Sequence, residues 1–267
     1  MAKAVRLPPC VLTIAGSDSG GGAGIQADAR AIQALGGYAL TAITAVTAQN
    51  GRGVAAWEPV APRLIAAQMT AVLEGFPVAA IKTGLLPGSA AIRAIAAVLR
   101  RHPRLPLVVD PVLGSTSGTR FLTPAALREL LRGLAPLATI LTPNRPEAEA
   151  MSRRRLRTAA QVEAAARQLA RNSGCAVLIK GGHAPGRICR DCLSTSDGRV
   201  RWFRSPRVAT RNTHGTGCVL SAAIACELAR GQGIAAAVEN ARTFLLGSLR
   251  RNRSVRWGRG AGPALGG

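Results

Sequence analysis

The sequence predicts an α/β fold of three layers, with helices on both faces of a mostly parallel central sheet. Three observations predict it. Short β-branched runs alternate with Ala/Leu-rich helical stretches, 48% of the residues are hydrophobic, and no linker or repeat divides the 267 residues. Strands buried on both faces read as continuous apolar runs, and such runs occupy Cys10 to Ala15, Ala39 to Val46, Val78 to Lys82, Leu105 to Asp110, Ala138 to Leu141 and Ala176 to Lys180. Helical stretches lie between them at Gly24 to Leu35, Pro62 to Leu73, Ser89 to Arg101, Pro124 to Gly133 and Thr158 to Asn172, with Thr123 and Thr158 as N-caps. A further apolar helical run spans Val219 to Leu228. The uncharged stretch Ala31 to Gly51 approaches the length of a membrane span. It contains Gln33, Gln49, Asn50 and the Gly36-Gly37 break, so it reads as a helix end, a turn and a buried strand. One domain over 1–267 is expected, with 1–9 and the Gly/Arg-rich 251–267 as flexible ends.

Composition narrows the function classes without choosing one. The 35 basic and 13 acidic residues leave a net charge of +22, and Lys3, Lys82 and Lys180 are the only lysines. Such a surface attracts anions, but net charge does not separate nucleic acid from small phosphorylated metabolites. The Arg clusters at 153–157, 199–211 and 250–259 read as solvated surface, and three Trp, one Tyr and four Phe offer few stacking platforms for bases. The six cysteines show no scaffold spacing, and no export signal opens the chain, so a reduced, cytoplasmic protein is expected. Cys189-x-x-Cys192 with His183 nearby lacks the second pair that a zinc site needs.

In a sheet of this kind ligands gather beyond the carboxyl ends of the strands. Asp18, Asp28, Asp110, Glu147, Lys82 and Lys180 all fall in or just after those ends. The first strand runs into AGSDSGGGAGIQAD (15–28), whose glycines let backbone N–H groups approach a ligand, or simply make a tight turn. No Gly-Lys-Ser/Thr follows, so it is not a Walker A loop, and Asp18 would point a carboxylate at a dinucleotide's pyrophosphate. Asp28 is expected in the first turn of the following helix, capping it or facing a ligand hydroxyl. Asn212 to Cys218 (NTHGTGC) reads as a phosphate-binding helix start, where Gly215 and Gly217 free successive amides and the helix dipole lowers the Cys218 thiol pKa. Asn144-Arg145-Pro146-Glu147 either sets oxygen ligands near a metal-bound triphosphate or is an ordinary capping box. Lys180 before Gly181-Gly182 either reaches a phosphate or ends a strand.

Taken in order, AGSDSGGGAGIQAD, TAQNGRGV (47–54), KTGLL (82–86), DPV (110–112), TPNRPEA (142–148), KGGH (180–183) and NTHGTGC resemble the hydroxymethylpyrimidine/phosphomethylpyrimidine kinases along essentially the whole chain. The resemblance implies a ribokinase-like fold, a homodimer, and two successive phosphorylations, of 4-amino-5-hydroxymethyl-2-methylpyrimidine and of its monophosphate, with ATP and Mg²⁺ in thiamine biosynthesis. By matching position it implies pyrimidine contacts from Gly16, Asp28, Gln49, Leu85, Val112 and Cys218, with Asp28 on the hydroxymethyl side. It assigns the nucleotide to Lys180, Asn144 and Thr213, magnesium to Glu147 and Asp110, and transition-state charge to the amides of Gly215, Thr216, Gly217 and Cys218. Cys218 stands where sugar-kinase relatives carry an Asp base. A carboxamide at Gln49 suits an aminopyrimidine edge, offering one acceptor and one donor. Leu85 replaces the family's usual Met, and Thr116 stands where many members have Lys, with Arg120 as a substitute. Two rival readings are a pyridoxal kinase of the same fold and a basic nucleic-acid-binding protein on an inactive kinase scaffold.

Overall fold

The computed structural model describes residues 7–115, 118–182 and 186–265. Its centre is a nine-stranded sheet in the order β3-β2-β1-β4-β5-β6-β7-β8-β9. β1 (Cys10–Asp18), β2 (Tyr38–Asn50), β4 (Val78–Thr83), β5 (Leu107–Val109), β6 (Ile140–Leu141) and β7 (Ala176–Ile179) run parallel, as the apolar runs predict. The antiparallel edges β3 (Gly53–Pro59), β8 (Ile188–Ser194) and β9 (Val200–Pro206) were not expected from the sequence. The β8–β9 hairpin does carry a local signal. Asp197-Gly198 sits at its tip, Gly198 has φ +85°, and Gly198 N donates to Thr195 O at 2.9 Å. The charged residues Arg190, Asp191, Arg201 and Arg204 obscure the apolar alternation on either side.

Helices α1 (Gly24–Ala34), α2 (Pro62–Gly75), α3 (Ser89–Leu99), α4 (Pro124–Glu129), α6 (Ala159–Ser173) and α7 (Thr216–Ala229) match predicted stretches. Thr123 and Thr158 accept from Ala126 N and Gln161 N, as expected of N-caps. The stretch after α4 departs from α geometry, continuing as a π turn to Leu134 and a 3₁₀ turn to Leu137. Two further helices are α5 (Arg145–Ser152) and α8 (Ile234–Arg251). α8 escaped sequence reading because Gly233 at its N-cap supplies no side-chain cap and Gly247 interrupts its run.

Period-2 alternation divides the core. Leu12 and Ile14 of β1 join Ile65, Met69, Ile92 and Ile95 under α2 and α3, while Val11 joins Ala27, Ile32, Val219 and Val238 under α1, α7 and α8. α7 is buried along its whole length from Val219 to Leu228 and so forms the middle of its layer. The expected flexible C-terminal end is a correction. Residues 252–265 fold back: Ala264 and Leu265 are buried, Pro263 bridges to His214, and Asn212 Nδ2 donates to Val255 O at 2.9 Å. Those polar and apolar contacts anchor a Gly/Arg-rich segment that composition alone reads as loose.

Candidate active site

The strand order reverses between β1 and β4, and a cavity of about 480 Å³ opens there beyond the carboxyl ends of the parallel strands. Gly16, Gln49, Leu85, Val112, Asp110, Asn144, Glu147, Lys180 and Thr213 to Cys218 all line it. Within the last segment His214 reaches Gln49, and Gly217 lies against Lys180. Every predicted site residue but Asp28 therefore meets in one space. Gly16 lies against Leu85, where a Cβ would stand 3.5 Å from Leu85 Cδ1. Thr116 and His183 lie outside the described residues.

Asp28 is a correction to the expected substrate contact. It sits one turn into α1, caps nothing, and is fully buried beneath the cavity. The register of β1 on β4 sets Thr13 directly opposite Lys82, and both reach Asp28 Oδ2, Thr13 Oγ1 at 2.6 Å and Lys82 Nζ at 2.7 Å. Burial pushes the Asp28 carboxyl above its usual value while Lys82 pulls it down. Burial would also lower Lys82, but the charges of Asp28, Cys218 and Asp110 outweigh it and hold the ammonium protonated. Two donors on one carboxylate oxygen favour the ion pair. Lys82, and not Asp28, is the member of this pair that lines the cavity.

The second ion pair is Lys180–Asp110, with Asp110 buried and Lys180 partly open. Lys180 Nζ donates to Asp110 Oδ1 at 2.7 Å, and Thr142 and Ser221 add hydroxyls at 3.3 Å each. A Cβ on Gly217 would stand 3.2 Å from Lys180 Nζ, so the absence of a side chain brings the start of α7 against this pair. Gly215, at φ +77°, packs on Gly22 so closely that a Cβ would overlap the Gly22 carbonyl. This joins the two glycine-rich segments that the sequence separates by almost two hundred residues.

Asn144 and Glu147 form the capping box and also line the cavity. Asn144 Oδ1 accepts from Glu147 N at 2.9 Å and Glu147 Oε2 accepts from Asn144 N at 2.6 Å, a complete capping box, yet both side chains face the cavity. Burial pushes the Glu147 carboxyl up to about 7, opposed by Lys180 and assisted by Asp110. Asp110 and Glu147 offer hard oxygen donors that fit magnesium, and among the described residues no third His, Cys, Asp or Glu joins them in a metal cluster. A cation held there would complete its shell with phosphate oxygens and water.

Cys218 occupies the third residue of α7, as predicted, but its thiol is not lowered. Burial pushes it up to about 11, and Lys82 only partly offsets that. The helix N-terminus alone does not overcome desolvation at this depth. Cys189 and Cys192 stand three apart on a strand and point to opposite faces, Cys189 into the cavity and Cys192 into the core, so they cannot share an ion.

Three features escaped sequence reasoning. Lys82, the last residue of its predicted strand, is fully buried and pairs with Asp28. His214, within NTHGTGC, bonds across to Asp18 at 2.9 Å. Asp191 accepts from Gly181 N and from Arg242 Nε, each at 2.6 Å, fixing the far end of the cavity, where Ser205, Leu245 and Leu249 also face inward. Nothing local in the sequence couples Asp191 to Arg242, because β8 and α8 were themselves unread.

Comparison with known proteins agrees with this geometry. The family model described as phosphomethylpyrimidine kinase matches residues 18–265. The hydroxymethylpyrimidine/phosphomethylpyrimidine kinase of Rhizobium meliloti is 45% identical over 94% of this chain and 94% of its own length. Among solved structures, phosphomethylpyrimidine kinase from Clostridium difficile is 36% identical with a TM-score of 0.79, covering 90% of this chain and 99% of that one. The Staphylococcus aureus pyridoxal kinase in complex with ADP is 29% identical with a TM-score of 0.86, covering 97% of this chain and 93% of that one. With the glycine-rich turn, the lysine ion pairs and the α7 start arranged around one cavity, and with a family match across nearly all of its length, the chain belongs to the phosphomethylpyrimidine kinase family.

Proposed function

We propose that the protein transfers the terminal phosphoryl group of ATP to the hydroxyl of 4-amino-5-hydroxymethyl-2-methylpyrimidine, and then a second one to the resulting monophosphate. One observation carries this reading: the amides at the start of α7 stand between a phosphate-suited lysine, Lys180, and a ring-reading carboxamide, Gln49, within the same cavity. In each step the acceptor oxygen bonds to the γ-phosphorus and the bond from that phosphorus to the β–γ bridging oxygen breaks, releasing ADP. The transferring group spreads negative charge over its equatorial oxygens, which the amides of Gly215 to Cys218 and the Lys180 ammonium are suited to stabilise. Asn144 and Thr213 lie where they would border the nucleotide. Magnesium, held by Asp110 and Glu147 together with phosphate oxygens, would neutralise phosphate charge.

The hydroxymethyl group needs a proton acceptor, a role this reading gives to Cys218, which lines the cavity; the monophosphate brings its own ionised oxygen. Relatives solved with ADP support ATP as the donor. A homodimer in the cytoplasm belongs to the same reading, and among the described residues no helix is long and apolar enough to cross a membrane. The test is purified protein with Mg-ATP and hydroxymethylpyrimidine, its monophosphate and pyridoxal side by side, repeated in excess chelator. Turnover of both pyrimidines, abolished by chelator, is the expected result. Turnover of pyridoxal alone would replace the reading with a pyridoxal kinase, and undiminished turnover in chelator would remove the metal.

A further inference from the structure

Asp18, His214 and Gln49 form a chain along the cavity wall whose hydrogens admit one arrangement. Asp18 Oδ1 accepts from Gly20 N and Oδ2 from Ala23 N, each at 2.8 Å, and His214 Nε2 stands 2.9 Å from Oδ2. The Gln49 amide nitrogen stands 3.0 Å from that same Nε2. Burial alone would raise the Asp18 carboxyl, but the His214 ring and the two amides outweigh it and hold it below its usual value, so it is ionised and only accepts. The hydrogen between the carboxylate and the ring therefore belongs to Nε2. A ring nitrogen that carries hydrogen has no lone pair left for the NH₂ of Gln49. Turning the carboxamide end for end exchanges its N and O without moving any other heavy atom, and sets Oε1 against the Nε2–H, which Oε1 and Asp18 Oδ2 then share as a three-centre bond.

The surrounding structure removes the other ways out. Gln49 is clamped at its main chain, its N donating to Ser19 Oγ at 2.8 Å and its O accepting from Ser19 Oγ at 2.9 Å. His214 is held by N to Gly262 O at 3.1 Å and by Ala264 N to its own O at 2.9 Å, and its ring packs on Gly22 with no space for a Cβ between them. The amide's orientation is what remains to be set.

We propose that the Asp18–His214 pair is a specificity-determining positioning device: it fixes the Gln49 carboxamide with its oxygen toward His214 and its NH₂ toward the bound ring. The inference rests on the reading that a pyrimidine sits against Gln49. In this orientation the second lone pair of Oε1 accepts from an exocyclic amine while the NH₂ donates to the neighbouring ring nitrogen. A ring that carries a carbonyl in place of the amine sets two acceptors against each other and is disfavoured.

The experiment measures kcat and KM for hydroxymethylpyrimidine and pyridoxal, together with calorimetric binding of each ring without nucleotide, in wild type, His214→Asn and His214→Gln. Gln places an amide nitrogen near the position of Nε2, whereas Asn stops short at that of Nδ1. His214→Asn is expected to narrow the preference for the pyrimidine about tenfold, the size of one well-made hydrogen bond, through KM and binding with kcat little changed. His214→Gln is expected to recover most of the preference. An unchanged preference in His214→Asn, an equal loss on both rings, or no difference between the two variants overturns the inference. Wild-type protein that does not phosphorylate hydroxymethylpyrimidine overturns the functional reading first, and the inference with it.

Discussion

Replacing Lys82 by Met isolates the cost of the buried charge beneath the cavity. Both side chains of the Lys82–Asp28 pair are 0% exposed and 2.7 Å apart, and among the described residues Asp28 Oδ1 has no hydrogen-bond partner. Lys82→Met leaves Asp28, among the described residues, with Thr13 as its one remaining donor, an uncompensated buried carboxylate. Breaking such a pair from one side costs about 3–5 kcal/mol. For a domain of this size about 2–4 °C of melting temperature accompanies each kcal/mol, so a fall of roughly 6–20 °C is expected at pH 8. The sign of the pH dependence follows. Without Lys82 the folded-state pKa of Asp28 rises further above the unfolded value of 3.8, so the deficit relative to wild type is smallest near that value and grows as pH rises through the folded pKa. The double variant Asp28→Asn with Lys82→Met removes both charges and should melt above the single variant. Scanning calorimetry of all three proteins across pH reads these differences. A Lys82→Met midpoint within about 2 °C of wild type at pH 8, or a double variant no more stable than the single, would refute the argument.

Gly215→Ala adds a methyl group that overlaps the Gly22 carbonyl at a left-handed φ, so it should abolish activity and lower the melting temperature together, as calorimetry and a coupled kinase assay would show. Gln49→Leu should lower discrimination between hydroxymethylpyrimidine and pyridoxal by about 1–3 kcal/mol in competition assays, and an unaltered ratio would show that Gln49 does not read the ring. For Cys218, a thiol pushed up to about 11 is mostly neutral at pH 7, and its thiolate fraction grows about tenfold per pH unit below that value. Phosphorylation of the alcohol should therefore rise between pH 7 and 9 while phosphorylation of the monophosphate stays flat, and Cys218→Ala should remove the slope; equal profiles on both substrates would take the thiol out of proton transfer.

How much of this was legible depended on whether the signal was local. Apolar runs located six strands, and Thr123 and Thr158 announced their helices, because a cap or a buried strand is written within a few residues. The convergence of Gly16, Gln49, Lys180 and the α7 start followed from strand-end logic and from motif resemblance. Depth was not legible. Asp28 and Cys218 stand in the predicted motifs, yet burial decides that one is an internal counter-ion and the other a raised thiol, and burial depends on which helices cover them. The same holds for Arg242. Its partner Asp191 is 51 residues away on a hairpin whose charges hide its alternation. The C-terminal segment was misread for a related reason: Ala264 and Leu265 are buried by α7 and α8, and α8 had no cap to reveal it.

The two described lysines make a final argument from composition. The chain uses arginine for nearly all of its positive charge, yet Lys82 and Lys180 both sit at the cavity. Geometry supplies the reason. Lys82 Nζ stands 2.9 Å from where a Gly84 Cβ would be and is fully buried, so a guanidinium would find too little room, and the Asp28 carboxylate could accept from only some of its five donors. Lys180 has 12% exposure and lies where a compact ammonium can hold Asp110 on one side and meet phosphate oxygens on the other. A planar fork at that position would engage Asp110 with both arms and withdraw from the cavity. Lys82→Arg is therefore expected to destabilise the fold despite keeping its charge, and Lys180→Arg to leave the melting temperature near wild type while raising the KM for ATP about tenfold or more, the scale of a lost charge-assisted contact. If Lys180→Arg kept wild-type nucleotide kinetics, point-charge geometry at Lys180 would not matter, and the assignment of that side chain to the phosphates would fall.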